Sequence, residues 1–178
     1  MFMLNKRVFF ALVSMLLVCY PLTGVFALPT DKDAPIKIKA DSVSFNQKTG
    51  ISHYRGNVRL TQGSIQVRAD QITVEQNESE VTQVRCIGEP VSFQQQPESD
   101  TPEMVAHAKK IIYRVPEERL WLSGDAKLWD GTTQFSSQQI EYDLVRSVIL
   151  ASKGRSAGGA QVEMTIAPRK QETDNQNQ

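Results

Sequence analysis

Few side chains in this sequence have the type and spacing that catalysis needs. Asp41 and Asp70 could form a carboxylate pair for acid–base chemistry. Both, however, occupy the same point of a repeated Ala-Asp-x-apolar-x-apolar pattern, at a predicted strand entrance where Asp commonly ends a turn. Ser123-Gly124-Asp125 with His107 could suggest a nucleophile and its base, but the chain has no nucleophile-elbow motif. The sequence therefore predicts a protein that is not an enzyme.

Metal, nucleotide and nucleic-acid binding are poorly supported as well. His53, His107, Cys19 and Cys86 are the available nitrogen and sulfur ligands, too few at workable spacing for a His/Cys metal site. The 178 residues include 20 Lys+Arg and 20 Asp+Glu, so the basic surplus typical of nucleic-acid-binding proteins is missing. The sequence also lacks a phosphate-binding loop motif. We expect no metal, no cofactor and no nucleic-acid partner.

The first 27 residues have the order of a secretory signal peptide. Two basic residues precede an almost unbroken apolar run from Val8 to Tyr20, and the region ends in the small residue Ala27. Cleavage after Ala27 is the main prediction, while a retained membrane anchor and lipidation at Cys19 are alternatives. After cleavage Cys86 has no cysteine partner within the chain, and we expect it to be a buried, unreactive thiol.

Most of the remaining chain alternates apolar and polar residues with a period of two, which is typical of strands with one buried face. Helical spacing is hard to find, and turn residues such as Gln47 to Gly50 and Pro116 to Glu118 separate the runs. The alternating runs are Ile36–Ile38, Val43–Phe45, Val58–Leu60, Ile65–Val67, Ile72–Val74, Leu120–Leu122, Ala126–Leu128 and Val162–Ile166. The predicted fold class is all-β.

An internal repeat relates two halves of the chain. A shift of 68 residues, without a gap, aligns Gly56 with Gly124 and Leu60 with Leu128. Stacked β units of this kind build an elongated structure. We predict a surface loop or hinge between the halves, from Gln94 to Val105. The predicted organisation is a signal peptide (1–27), a single β domain (28–167) and a disordered polar tail (168–178).

One strand parity places a continuous apolar set on an inward face. Such a set could pack as the closed core of a sandwich or line a groove for flexible hydrocarbon. The set comprises Val43, Phe45, Val58, Leu60, Ile65, Val67, Ile72, Val74, Val91, Phe93, Ile111, Tyr113, Leu122, Leu128, Phe135, Ile140 and Tyr142.

The two terminal runs, Ile36 to Ala40 and Val162 to Ala167, are candidate sheet edges. Unpaired backbone groups at an edge can recruit another sheet by strand addition. The apolar residues of these predicted oligomer edges are Ile36, Ile38, Val162, Met164 and Ile166.

Five motifs carry a resemblance to a known family. They are Pro35-Ile36-Lys37-Ile38-Lys39-Ala40-Asp41, Tyr54-Arg55-Gly56-Asn57-Val58-Arg59-Leu60-Thr61-Gln62-Gly63 with the following Ala69-Asp70, Gly88-Glu89-Pro90-Val91-Ser92-Phe93, Ala106-His107-Ala108 and Leu122-Ser123-Gly124-Asp125-Ala126. Together they resemble the OstA-like family of periplasmic lipopolysaccharide-transport proteins. The likeness extends from about Pro35 to Ala167.

The resemblance implies an elongated, twisted, V-shaped antiparallel β-jellyroll. It implies a periplasmic carrier that binds the acyl chains of lipopolysaccharide in an apolar groove and bridges the inner and outer membranes. The implied partners are lipopolysaccharide, an LptC-like component of the inner-membrane transport complex, an LptD-like N-terminal domain of the outer-membrane translocon, and further copies of the chain, head to tail. By similarity of position, groove contacts fall on Ile36, Ile38, Phe93, Tyr113 and Val115. The predicted lipid-binding groove joins these residues to the members of the inward set other than Ile65.

Two alternatives to this interpretation stay open. One is an inner-membrane-anchored, LptC-like member of the same family that keeps its N-terminal segment. The other is a structural β adaptor whose closed interior binds no ligand. Trp121 and Trp129 are expected on the outer face, where they leave the predicted groove intact.

Overall fold

The computed structural model describes residues 31–78, 80–96, 102–154 and 161–168. Within these ranges the chain forms a short 3-10 turn, Asp31–Asp33, and ten strands. The predicted signal peptide and all but the first residue of the predicted tail lie outside the described residues. No helix in the described part of the chain has the length and apolar character needed to cross a membrane.

All ten strands join one antiparallel sheet, as the period-two alternation predicts. The pairing path is β1-β3-β4-β5-β6-β7-β8-β10, with β2 also paired to β3 and β9 also paired to β8. The strands are β1 (Lys37–Lys39), β2 (Ser42–Asn46), β3 (Ile51–Gln62), β4 (Ile65–Asn77), β5 (Glu80–Gln95), β6 (Met104–Arg114), β7 (Arg119–Trp129), β8 (Thr133–Asp143), β9 (Val148–Ser152) and β10 (Glu163–Ile166).

Two short strands form each edge of the sheet. Both β1 and β2 pair with β3, and both β9 and β10 pair with β8. The 68-residue repeat places β1 and β2 at positions equivalent to the single long strand β6. The edges β1 and β10 lie where the sequence predicts them. Strand β9 was missed, because Val148-Ile149-Leu150 is apolar without alternation.

The long strands bulge at the same level across the sheet. The pairing registers shift between Arg55 and Val58, Arg68 and Gln71, Ile87 and Val91, His107 and Lys110, and Ser123 and Ala126. A bulge adds an unpaired residue, bends its strand and increases the local twist. This line of bulges divides the sheet into two arms. Arm 1 contains the segments level with β1 and β10, and arm 2 those level with β2 and β9.

The bulges correct two predictions from the sequence. Ile65–Val67 and Ile72–Val74 are parts of one bent strand, β4, and Asp70 lies inside its bulge rather than at a strand entrance. Asp41 does precede a strand, β2, as predicted. The predicted hinge from Gln94 to Val105 is also too long, because β5 continues to Gln95 and β6 already begins at Met104.

The core forms where the two arms face each other. Val58, Val91 and Ala126, next to the bulges, are at most 1% exposed. The described residues contain no second sheet or long helix that could cover this apolar face. The single sheet therefore buries its own inner face by folding along the line of bulges, and removal of that apolar surface from water stabilises the bend.

Edge position changes the environment of two predicted inward residues. Cross-strand pairing puts Val43 opposite Tyr54 and Phe45 opposite Ser52, on the inner face. Nevertheless Val43 is 63% exposed and Phe45 is 58% exposed. Their predicted burial is wrong, because β2 is an edge strand with no described neighbour on its other side.

Candidate functional site

A cavity of about 440 Å³ separates the two arms over part of the inner face. Its arm 1 wall contains Leu60 of β3, Val67 of β4 and Phe93 of β5, which are cross-strand neighbours in one row. These side chains reach the same wall because the three strands alternate with the same parity. All three are at most 5% exposed, so they form the floor of the cavity.

The arm 2 wall is a second cross-strand row. Val84 of β5 lies opposite Tyr113 of β6, which lies opposite Leu120 of β7. Burial raises the pKa of the Tyr113 phenol, and the nearby Glu118 and Asp31 carboxylates raise it further. The phenol is therefore neutral at neutral pH and adds one hydroxyl group to an otherwise apolar wall.

The cavity opens to solvent at a mixed rim. Glu80 and Pro116 line it and are exposed, whereas Ile36 and Val81 line it and are half-buried. The cavity is therefore not sealed from solvent at this rim.

The N-terminal turn is anchored next to the cavity. One Asp31 carboxylate oxygen accepts a hydrogen bond from the Ser64 backbone N–H at 2.6 Å, and the other accepts from the Ser64 hydroxyl at 2.7 Å and from Gln95 Nε2 at 2.9 Å. Gly63, with φ +57°, leaves room for this carboxylate, since a Cβ there would overlap it. The anchored turn directs the chain so that Ile36 lines the wall.

The structure distributes the predicted groove residues over four environments. Seven line the cavity: Ile36, Leu60, Val67, Phe93, Ile111, Tyr113 and Val115. Seven others are buried in the packed core: Val58, Ile72, Val74, Val91, Leu122, Leu128 and Ile140. Ile38, Phe135 and Tyr142 are partly buried against that core, while Val43 and Phe45 are exposed. The interior therefore combines closed packing with a cavity, and lipid binding by any of these residues stays a prediction.

Several cavity residues were missed from the sequence. Val84 and Leu120 continue the alternating parity of their strands, which is the signal that could have found them. Gln95 lines the cavity but was missed because the sequence analysis assigned it to the hinge instead of to β5. Ala34 lines the cavity only because the turn before it is anchored by Asp31, and no local pattern reveals that contact.

Cys86 also lines the cavity and is 3% exposed. Burial raises the pKa of its thiol to about 12. The group is therefore protonated at neutral pH. The predicted burial of Cys86 is confirmed, and its lack of reactivity stays a prediction that the raised pKa favours.

The suggested nucleophile arrangement does not assemble. Asp125 is 3.4 Å from Lys109 Nζ and accepts a hydrogen bond from Gln138 Nε2 at 3.2 Å, so its carboxylate does not orient His107. His107 and Ser123 lie on the outer face on opposite sides of the bulge in β6 and β7. Among the described residues, no cluster of His, Cys, Asp and Glu could hold a metal ion.

The two tryptophans lie on the outer face, as predicted. Trp121 is opposite Ile112 and Glu141, and Trp129 is opposite Val105. The guanidinium of Arg114 lies 5.0 Å from the ring centroid of Trp121, within the range of a cation–π contact.

Comparison with known proteins gives consistent results. The family model described as LptA/(LptD N-terminal domain) LPS transport protein matches residues 37–148. The lipopolysaccharide export system protein LptH of Pseudomonas aeruginosa is 32% identical over 151 residues, covering 81% of this chain and 85% of the relative. The lipopolysaccharide export system protein LptA of Escherichia coli K12 is 29% identical over 119 residues, covering 66% of this chain and 64% of the relative.

A solved structure matches the fold as well. The crystal structure of LptH, described as the LptA-homologous periplasmic component of the lipopolysaccharide transport device of Pseudomonas aeruginosa, aligns with a TM-score of 0.72 and 30% identity. The alignment covers 79% of this chain and all of that chain. This match confirms the predicted fold class, an OstA-like antiparallel β-jellyroll. These relatives are named as export-system components, in keeping with the prediction of a non-catalytic protein.

Proposed function

The chain belongs to the LptA/LptD N-terminal domain family of lipopolysaccharide transport proteins, and from this premise we propose that it is a periplasmic carrier of lipopolysaccharide. The observation that carries the proposal is the apolar cavity of about 440 Å³ between the two arms, open at its rim. In this proposal the acyl chains enter the cavity and the polar sugars stay outside.

The energetics favour a carrier of this kind. Each methylene group exposed to water costs about 0.8 kcal/mol, so a chain of about a dozen carbons opposes transfer through water by about 10 kcal/mol. Contact with Leu60, Val67 and Phe93 would remove much of that cost without any chemical step. Successive copies with similar walls would keep the free energy of the lipid nearly level along the path.

The sheet edges support assembly of such a path. The pairing of β5 with β6 within the chain provides a template for the junction between copies. By the 68-residue repeat, β6 is equivalent to β1 and β2. Strand β5 pairs with β4 in the same way as β9 and β10 pair with β8, so β5 is equivalent to β9 and β10. Along the sheet path the strand directions alternate, so β10 of one copy meets β1 of the next antiparallel.

The template specifies the register between copies. It pairs Ile38 with Met164, Lys39 with Glu163, Val43 with Ala151 and Phe45 with Ile149 of the next copy. The inner faces would then be continuous across the junction, and the exposed side chains of Val43 and Phe45 would be covered. We propose the same edges for the LptC-like component of the inner-membrane complex and the LptD-like domain of the outer-membrane translocon.

Site-specific photo-cross-linking in cells tests the carrier function. A photoreactive residue at Tyr113 or Phe93, which line the cavity, should label lipopolysaccharide. The same residue at Ser92 or Ile112, their chain neighbours on the outer face, is the matched control. Labelling confined to the controls would contradict the proposal.

Cysteine cross-linking tests the junction. The pair Ile38→Cys and Met164→Cys should link separate copies into a ladder of oligomers, with little background from the buried Cys86. The control pair Lys37→Cys and Met164→Cys puts the two thiols on opposite faces and should link poorly. Equal ladders from both pairs would rule out the proposed register.

The anchored, LptC-like alternative is separated by the N-terminus of the exported protein. A chain that begins at Leu28 supports a released carrier. A chain that keeps residues 1–27 supports the membrane-anchored alternative.

A further inference from the structure

Four cations form a cluster on the outer face of arm 1, opposite the cavity wall. Lys39 of β1 lies opposite Arg59 of β3, and Arg59 lies opposite Arg68 of β4. Lys37 lies on the same face of β1, two residues from Lys39. All four residues, named here the basic cluster, are exposed. With strands about 4.8 Å apart, the row of three cations is about 10 Å long.

The basic cluster is not neutralised within the described structure. No ion pair joins Lys37, Lys39, Arg59 or Arg68 to another described residue. Like charges placed directly opposite each other across strands destabilise a sheet. The fold therefore retains an unfavourable arrangement that its own packing does not require.

Two arginines of arm 2 are arranged differently. Arg85 pairs with Glu75 at 3.7 Å, and Arg119 pairs with Glu141 and Asp143, each at 3.2 Å. The chain as a whole has equal numbers of basic and acidic residues. Cations without an ion pair also occur elsewhere, at Lys48, Arg55, Lys110 and Lys153, but the basic cluster gathers four of them on one face of arm 1 without a general basic surplus.

The nearest carboxylates along the chain form no ion pair with the cluster. Asp41 accepts a hydrogen bond from Asn57 Nδ2 at 2.9 Å, and Asp70 lies in the bulge of β4, next to the row and outside it. In the proposed junction Lys39 would meet Glu163 of the next copy. All four cations are therefore free of this carboxylate only on a copy whose β1 edge is not paired with another copy. This point rests on the assembly proposed above.

We propose that the basic cluster docks the protein on an anionic phospholipid surface. The four cations lie side by side on the exposed outer face of β1, β3 and β4. A flat array of positive charges of this kind can contact several lipid phosphate groups at once. Binding of this type is reversible and additive, because each Lys or Arg near an anionic surface contributes a small, similar increment. It would bring the outer face of the edge β1, β3 and β4 against a membrane while the cavity stays accessible from the other face.

Vesicle binding by the exported protein tests the proposal. Vesicles of equimolar phosphatidylcholine and phosphatidylglycerol should bind the protein, and vesicles of phosphatidylcholine alone should not. The triple variant Lys39→Thr, Arg59→Thr, Arg68→Thr should bind the anionic vesicles about 100-fold more weakly. Thr is suited to exposed strand positions, so the fold should persist. Binding should also fall steeply with added salt, because the contacts are exposed.

The matched control is a second triple variant with the same change in net charge. Lys48→Thr, Lys110→Thr and Lys153→Thr remove exposed cations that are scattered outside the cluster. This variant should keep most of the vesicle binding. Equal losses in both variants would overturn the proposal in favour of a net-charge effect, and equal binding to both kinds of vesicle would overturn it in favour of an apolar contact.

Two further results would also overturn membrane docking. Displacement by inorganic phosphate well beyond that by sodium chloride at the same ionic strength would identify a site for a single anion. Loss of lipopolysaccharide cross-linking from Tyr113 in the cluster variant, with vesicle binding unchanged, would assign the cations to the headgroup of the carried lipid. Retained cross-linking together with lost vesicle binding separates the docking surface from the carrier function.

Discussion

The two halves of the chain bend at equivalent positions with opposite charges over the bend. In the first half Gly56 has φ +80°, and the side chain of Asp41 covers it. The next residue, Asn57, has φ +46° and donates a hydrogen bond from Nδ2 to Asp41 at 2.9 Å. A carboxylate and a neutral amide therefore hold this bend.

In the second half the equivalent positions hold the bend with an ion pair. Gly124 has φ +81°, and the stem of Lys109 covers it. Asp125 has φ +50°, and its carboxylate is 3.4 Å from Lys109 Nζ. The repeat thus preserves the left-handed backbone at two successive residues, which favours Gly followed by Asn or Asp. The side chain that covers the glycine differs in charge between the halves, negative for Asp41 and positive for Lys109.

The halves also differ in how they fill the interior. Val67 of the first half lines the cavity, whereas the equivalent residue in the second half is the larger Phe135, which packs against the core. Leu60 lines the cavity too, whereas its equivalent, Leu128, is fully buried. At these equivalent positions the same backbone plan therefore borders open space in the first half and closed packing in the second.

Truncation of the two equivalent leucines should give the largest difference between the halves. We expect Leu128→Ala to lower the free energy of unfolding by about 4 kcal/mol, because it opens a new void in close packing. Leu60→Ala should cost about 2 kcal/mol, since that side chain already borders the cavity and loses fewer contacts. Urea denaturation of both variants measures the difference. Equal losses would mean that the packing around the two leucines does not differ.

Substitution of the two bend glycines should give a smaller effect. Gly56→Ala and Gly124→Ala should each lower the free energy of unfolding by about 1 to 2 kcal/mol, because both glycines have positive φ. The loss should be greater at Gly56, where the new Cβ would overlap the Asp41 carboxylate, than at Gly124, where it would lie 3.0 Å from Lys109 Cβ.

A second substitution identifies the cause of that difference. Adding Asp41→Ala to Gly56→Ala should recover part of the lost stability, because it removes the overlapping carboxylate. Adding Lys109→Ala to Gly124→Ala should recover less, since the nearest atom to the new Cβ is Lys109 Cβ at 3.0 Å, which alanine retains. The reverse order of recovery would show that the bends are not held as described.

The sequence predicts which face a residue lies on better than it predicts what covers that face. Alternation correctly puts Leu60, Phe93 and Val43 on the inner side, because side-chain direction in a strand depends only on period. Burial depends on neighbouring strands, so Val43 on an edge is exposed while Leu60 is not. The cavity could not be located from the sequence, since its position depends on how the arms meet and on volume differences such as Val67 against Phe135.

Bends inside strands were equally hidden. The repeat marks Gly56 and Gly124 as equivalent, but a glycine in an alternating pattern can end a strand or bulge it. The sequence pattern predicts a strand end near Asp70, so β4 was predicted as two separate strands. The distinction comes from pairing on both sides of the bulge, which is a property of the whole sheet.

The ion pair over the second bend should give the smallest difference, and one that depends on pH and salt. The hydrogen bond from Gln138 and the charge of Lys109 hold the pKa of Asp125 below its usual value of 3.8. Because the folded-state pKa is depressed, the ionised carboxylate stabilises the fold above the unfolded-state pKa, and this contribution is lost as the pH falls through the folded-state pKa. The stability difference between the wild type and Asp125→Asn should therefore be constant near neutral pH and should shrink below about pH 4.

Added salt should reduce the effect of Lys109→Met on the free energy of unfolding, because both charges are exposed. It should not change the effect of Asn57→Ala, whose partner at the first bend is bound through a neutral amide. If both variants responded equally to salt, the two bends would not differ in electrostatics, despite the opposite charges above their glycines.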